Sequence, residues 1–154
     1  LSLVVEDIMA RDVVTIEANF SVKYAARVMS LYGISSVIVF DEGKMKGILT
    51  EKDIMTRVVA KGRDAEKVYV REIMTCPVIV VQPTTPLEDA VQTMVMKKIK
   101  KLPVMSGDNA EADLLGILSL TDVARIQPLM IESLKELAQL GQVSQETGTG
   151  FYVR

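Results

Sequence analysis

Apolar positions along the chain recur with two periods, and the order of those periods occurs twice. Val13, Val14 and Ile16 form a short β-rich run; Val22, Ala25, Ala26 and Met29 follow at the i, i+3, i+4, i+7 spacing of a helix with one buried stripe. A strand is predicted over 35–40, a hairpin-type turn at Asp41-Glu42-Gly43-Lys44, a second strand over 45–49 and a helix opening at Thr50. The same series returns as a β-rich run at 78–81, a helix carrying Leu87, Ala90, Val91 and Met94, strands at 102–105 and 114–118, and a helix opening at Ser119. The start of the first helix is left between Asn19 and Ser21. The start of its counterpart is read as Thr85 at N-cap, Pro86 at N1 and Glu88 closing a capping box.

The two series are copies. A shift of 65 places positions 7–40 on 72–105, and beyond position 40 a shift of 69 places Gly47 on Gly116. Gly47-Ile48-Leu49-Thr50-Glu51-Lys52-Asp53-Ile54 thereby meets Gly-Ile-Leu-Ser-Leu-Thr-Asp-Val at 116–123. The four extra residues fall in the loop 106–115, where an insertion is cheap. An internal repeat fixes the architecture: an α/β (α+β) chain of two β-α-β-β-α units, 1–64 and 65–127, joined at Lys61-Gly62-Arg63-Asp64. A unit of that size has little core of its own. Three-stranded sheets with helices on one face are therefore expected to pair about a pseudo-twofold axis.

Residues 128–154 lie outside the repeat. The stretch from Leu129 to Leu140 reads as an amphipathic helix whose apolar side is either Met130, Leu134, Leu137 and Gly141 or Ile131, Leu134 and Ala138. The polar tail 142–150 is expected to be mobile, with Phe151, Tyr152 and Val153 either frayed or docked.

Composition narrows the function. A net charge of −2 and a pI near 5.3 argue against a general nucleic-acid binder. With no histidine and one cysteine there is no Ser-His-Asp or Cys-His set, no disulfide and no zinc set. Cys76 is read as a small buried residue in preference to a redox-sensitive thiol. Apolar runs such as Val37-Ile38-Val39-Phe40 are too short to cross a bilayer, and the first residues carry no signal-peptide pattern. From its composition the chain is expected to be a cytoplasmic, non-catalytic protein. The missing initiator Met is read as the trace of a removed upstream segment.

The doubled motif supports two readings. Thr50 with Asp53, and Ser119 with Asp122, suit a helix N-cap and an N3 carboxylate near the positive end of the helix dipole, which alone accounts for the residue types. The same arrangement presents free N–H groups to an anion and a carboxylate to vicinal hydroxyls, as a ribonucleotide requires.

Taken whole, the chain resembles a tandem pair of CBS (cystathionine-β-synthase) domains, or Bateman module, over about residues 3–127. The resemblance is carried by Asp7-Ile8-Met9, the helix 22–29, Gly33-Ile34-Ser35-Ser36-Val37-Ile38-Val39 and the octapeptide at 47–54. The second copy adds Glu72-Ile73-Met74, the helix 87–94, Ile99-Lys100-Lys101-Leu102-Pro103-Val104 and 116–123. It implies a non-catalytic regulatory module that binds AMP, ADP, ATP or S-adenosylmethionine between its repeats, forms a homodimer and controls a partner protein. One site would take Ser119 and Asp122 with Val14, Ile34 and Ser35 flanking the base; the other would take Thr50 and Asp53 with Ile79, Ile99 and Lys100. Lys52, Lys100, Lys101, Arg57 and Arg125 are the phosphate candidates. Neither a catalytic residue, a metal nor a resident cofactor is implied. The rival readings are a purely structural dimerisation module and, more remotely, a nucleotide hydrolase using Asp53 or Asp122. Repeat one has Ser35-Ser36 where repeat two has Lys100-Lys101, and it lacks Pro103, so unequal sites are expected.

Overall fold

Leading segments change places between the repeats. In the computed structural model, which describes residues 2–145, the chain divides into two compact units. One, the continuous unit, is Asp12–Val78; the other, the split unit, holds the chain up to Arg11 and from Ile79 on. The compact units therefore do not follow the sequence period of 1–64 and 65–127. Lys61-Gly62-Arg63-Asp64, read as the joint between repeats, is a tied turn inside the continuous unit: Gly62 has φ 65°, and the Arg63 N–H donates to Val58 O at 3.0 Å.

In the continuous unit, β1 (Thr15–Glu17), β2 (Ser36–Asp41) and β3 (Lys44–Thr50) form a sheet in the order β1-β2-β3, parallel then antiparallel. Glu42 and Gly43 both take positive φ in the two-residue turn between β2 and β3, as the tight hairpin requires. Helix α1 (Val22–Tyr32) starts at Ser21, whose hydroxyl accepts from the Tyr24 N–H, so Ser21 and not Asn19 is the cap. It ends at Gly33, whose φ of 63° is the left-handed conformation of a helix C-terminus. Helix α2 opens as Glu51–Ile54 and runs on as a π-helical stretch, Met55–Val59. Ile16, Val22, Ala25, Met29, Val37, Val39 and Leu49 centre the core. The short helix α3 (Val70–Ile73), from the lead of repeat two, closes it. In the first turn of α3, Glu72 accepts from the Tyr69 N–H at 2.7 Å and from Arg63 at 2.8 Å, which together hold its carboxyl below the ordinary carboxylate range.

The split unit repeats the plan with one strand fewer. Strands β4 (Lys101–Met105) and β5 (Leu114–Ser119) pair antiparallel, but the expected strand at 78–81 shrinks to a bridge between Val81 and Val104. The cause is Pro103. Its counterpart Ile38 donates its N–H to Val14 O at 3.2 Å; proline has no N–H to offer Ile79. Helix α4 (Leu87–Lys97) also begins differently from the sequence expectation. Pro86 is its N-cap, and Thr85 Oγ1 accepts from the Gln82 N–H, so the Thr85–Glu88 capping box does not form. The lead segment does that work: Leu87 N–H donates to Leu3 O at 2.9 Å, just as Val22 N–H donates to Val68 O at 2.9 Å in the other unit.

Helix α5 (Leu120–Ile126) and helix α6 (Pro128–Gln145) complete the split unit. Ile131, Leu134 and Ala138 are the buried stripe of α6, the second of the two predicted faces, while Leu129, Leu137 and Leu140 are exposed. The stretch expected to be mobile from 142 continues α6 as far as Gln145; residues 146–154, with Phe151, Tyr152 and Val153, lie outside the described residues. Cys76 is exposed, against the expectation of a buried thiol, because it follows the last paired residue of the α3 segment and precedes the exposed Pro77. Among the described residues no helix is long and apolar enough to cross a membrane.

Candidate functional site

Each unit places one copy of the doubled motif at the end of a strand. The repeated glycine explains itself by a close crossing. A Cβ on Gly47 would lie 2.8 Å from Thr75 O, and one on Gly116 would lie 2.6 Å from Ala10 O. Ile48 and Thr75 exchange backbone hydrogen bonds at 3.1 and 2.8 Å, and Ile117 and Ala10 do so at 2.9 Å each way. The other repeat's lead thus lies directly against the strand that carries the motif.

Past the glycine the copies diverge. In the continuous unit, the Thr50 N–H donates to Asp53 Oδ2 at 3.0 Å and the Asp53 N–H donates to Thr50 Oγ1 at 3.1 Å, a closed capping box. The Thr75 hydroxyl donates to both Asp53 oxygens at 3.2 and 3.3 Å, and Arg57 Nε stands 3.8 Å from Oδ1. Arg57 is further held by the carbonyls of Ile73 and Met74 at 2.9 and 3.2 Å, which makes it a tether to the α3 segment. The Asp53 side chain is left 9% exposed.

In the split unit, Ser119 Oγ accepts from the Thr121 N–H at 3.2 Å, one residue earlier than in the first copy. Asp122 accepts no hydrogen bond from the described residues; its ion-pair partner is Arg125 at 3.6 Å, and its side chain is 35% exposed. Substitutions around the two copies account for this. Thr75 corresponds to Ala10, which has no hydroxyl, and Arg57 to Ile126. The carboxylate of the second copy is therefore open.

The remaining predicted residues fall with their own repeats. Val14 and Ile34 pack half-buried at the edge of the continuous core, and Ser35 O accepts the Glu51 N–H at 3.0 Å. Ile79 and Ile99 pack in the same way on the split core, and Lys100 O accepts the Leu120 N–H at 2.8 Å. Lys52 and Lys100 are exposed, and Lys101 is half-buried on β4. A wide-open depression of about 430 Å³ adjoins Ile34, Ser35 and Glu51 between α1 and α2. Sequence reasoning missed Thr75, whose counterpart Ala10 carries no polar group, and Ser36, the neighbour of a residue it did select. Ser36 is the register partner of Thr50, buried to 7% exposure, and its Oγ has no hydrogen-bond partner among the described residues.

The CBS domain family model matches residues 5–60 and 70–128, one match to each copy. The chain belongs to the CBS domain family. It is a tandem CBS pair of mixed α/β structure, the kind of module that is generally regulatory and not catalytic. This CBS pair is 33% identical over 136 residues to the protein MK0525 of Methanopyrus kandleri, covering 88% of this chain and 68% of that one. It is 35% identical over 120 residues to the CBS domain-containing protein YhcV of Bacillus subtilis, covering 78% and 82%. Among solved structures it is similar to the CBS domain pair of protein MJ0100 in complex with 5′-methylthioadenosine and S-adenosyl-L-methionine. That likeness has a TM-score of 0.71 and 28% identity, covering 82% of this chain and 96% of that one.

Proposed function

We propose that this CBS pair is a non-catalytic sensor of an adenosine-containing ligand in the AMP, ADP and ATP class. The observation that carries the reading is the open Asp122 carboxylate beside Ser119, at the end of a strand held by the crossing at Gly116. A carboxylate without hydrogen-bond donors is suited to the two hydroxyls of a ribose, each of which donates to an oxygen. Asp53 is the second candidate seat, already occupied by its own capping box. Ile79, Ile99, Val14 and Ile34 supply apolar surface for a base, and Lys52, Lys100, Lys101 and Arg125 supply charge for phosphates.

The likeness to the MJ0100 pair supports an adenosyl ligand as a class and favours, as a second reading, S-adenosylmethionine or a relative of it. In either case ligand binding shifts an equilibrium between two arrangements of the module or of its homodimer, in the cytoplasm, and so controls a partner protein. Only a difference in affinity between those arrangements can drive the shift. Titration calorimetry of the whole chain with AMP, ATP, adenosine and S-adenosylmethionine tests the proposal. Binding of at least one, lost from one site in Asp122→Ala, is expected; no heat and no thermal shift with any of the four refutes it.

A further inference from the structure

We infer that the groove between α1 and α2 of the continuous unit docks helix α6 of a second copy of this chain. No ligand is needed for this contact, so it stands apart from the adenosine-binding reading.

The repeat supplies the template. In the split unit the chain's own α6 packs on both α4 and α5, the helices that correspond to α1 and α2. Val91, Met94, Val95, Ile99, Leu120 and Val123 all belong to one apolar cluster with Ile131 and Leu134 of α6. Under the shifts of 65 and 69, those six positions are Ala26, Met29, Ser30, Ile34, Glu51 and Ile54 of the continuous unit. There they line the open depression of about 430 Å³. The second family match ends at residue 128, where α6 begins, so this cover is an addition to the CBS repeat. Each chain thus has two equivalent grooves and, among the described residues, one helix outside the repeat to fill them.

Helix α6 has a second face to offer. Leu129, Ser133 and Leu137 follow one another at the one-turn spacing i, i+4, i+8, and the two leucines are 76% and 62% exposed. Single exposed apolar side chains are ordinary, but an aligned pair on a helix whose other stripe is already buried marks an interaction surface. The open groove is less apolar than the filled one, with Ser30 and Glu51 where Val95 and Leu120 stand in the split unit. The second stripe matches it, since Ser133 lies between its leucines. Polar positions on both surfaces suit a contact that forms and separates, in place of a permanent core.

Charge selects the occupant. Helix α1 carries two bases, Lys23 and Arg27, and no acid. Lys23 meets Glu66, but Arg27, exposed and one turn from Ser30, makes no ion pair with the described residues. Glu132 and Glu136, both exposed, run beside the leucine stripe, each three residues on from Leu129 or Ser133. An acidic border laid along a basic one favours α6 against α1. Pairing α1 with a second α1, or α6 with a second α6, brings like charges together.

The test is sedimentation velocity of the full chain without ligand, over about 5–500 µM, for wild type, Leu137→Glu and Ser30→Glu. Both positions are exposed, so each variant should keep its Tm within about 3 °C of wild type. Wild type should self-associate, and each variant should do so at least about tenfold more weakly. An equimolar mixture of the two variants should associate more strongly than either alone, because one brings an intact groove and the other an intact stripe. A wild type that stays monomeric over the whole range leaves the groove to the helix of another protein and overturns the inference. Ser30→Glu associating as wild type does also overturns it, since the leucine stripe would then pair elsewhere. So does Leu137→Glu associating as wild type does, or a mixture no stronger than its components. None of these outcomes bears on adenosine binding, which calorimetry reads separately.

Discussion

Replacing each motif aspartate by alanine should have opposite signatures in stability and in binding. Asp53 accepts the Thr50 N–H, takes the Thr75 hydroxyl on both oxygens and faces Arg57, with little of its side chain exposed. Hydrogen bonds to a charged group are each worth about 1.5–3 kcal/mol, and part of this is recovered because water reaches the N–H left behind. A net loss of about 2–3 kcal/mol is expected for Asp53→Ala. Asp122 offers an exposed pair with Arg125 and no hydrogen bond, so Asp122→Ala should cost under about 1 kcal/mol. At about 2–4 °C per kcal/mol for a chain of this size, Tm should fall by roughly 4–12 °C in the first variant and by at most about 4 °C in the second. Scanning calorimetry with and without ligand reads both quantities. The ligand-induced rise in Tm should vanish or halve in Asp122→Ala, where stability is near wild type. Equal loss of stability in the two variants would refute the contrast between a closed and an open carboxylate.

Gly116→Ala places a methyl 2.6 Å from Ala10 O, whose residue is fixed by two backbone hydrogen bonds, so a loss of about 2–4 kcal/mol in chemical denaturation is expected. A loss below about 0.5 kcal/mol would mean the lead segment is not held there. Pro103→Val restores an N–H opposite Ile79 O, and hydrogen exchange should find the new amide protected; exchange at the free rate would show that proline is not what shortens the strand. Glu72, held below the ordinary carboxylate range by the Tyr69 N–H and Arg63, stabilises the fold above that range. Its contribution disappears as pH falls through its lowered value. Glu72→Gln should therefore lower stability at neutral and alkaline pH, converge on wild type at low pH and so flatten the acid side of the stability profile; an unchanged acid side counts against the contact.

Periodicity and the octapeptide match made the element order legible, because helix and strand spacing are local properties. Ile131, Leu134 and Ala138 were readable as a stripe for the same reason, although sequence alone did not choose between that stripe and one through Met130 and Leu137. What was not legible depends on residues distant in sequence. Thr85 has the composition of an N-cap, yet the Leu3 carbonyl performs the task and leaves Thr85 to a turn. Pro103 was visible as a difference between repeats, but its effect follows from which carbonyl it faces. The exposure of Cys76 likewise depends on where the paired segment stops. At the candidate site, Thr50, Asp53, Ser119 and Asp122 announced themselves by repetition. Thr75 did not, since it becomes important only when the lead of one repeat is laid against the motif strand of the other.

Under the proposed function, that exchange would be a physical means of transmitting occupancy. Thr75 is joined to Asp53 by its hydroxyl and to Ile48 by two backbone bonds, and Arg57 binds the carbonyls of Ile73 and Met74. All of these clamp the segment that continues directly into repeat two. A ligand hydroxyl donating to Asp53 competes with Thr75 for the same oxygens, so under the proposed reading binding at that seat loosens the side-chain part of the clamp. The counterpart lead is held to Ile117 by backbone alone, with Ala10 where Thr75 would stand, and Asp122 has no such bond to lose. Occupancy of the Asp122 seat adds contacts without breaking any, whereas occupancy of the Asp53 seat exchanges one set for another. Under the proposed reading the first would favour affinity and the second response, so a pair built from near-identical motifs would divide holding a ligand from reporting it.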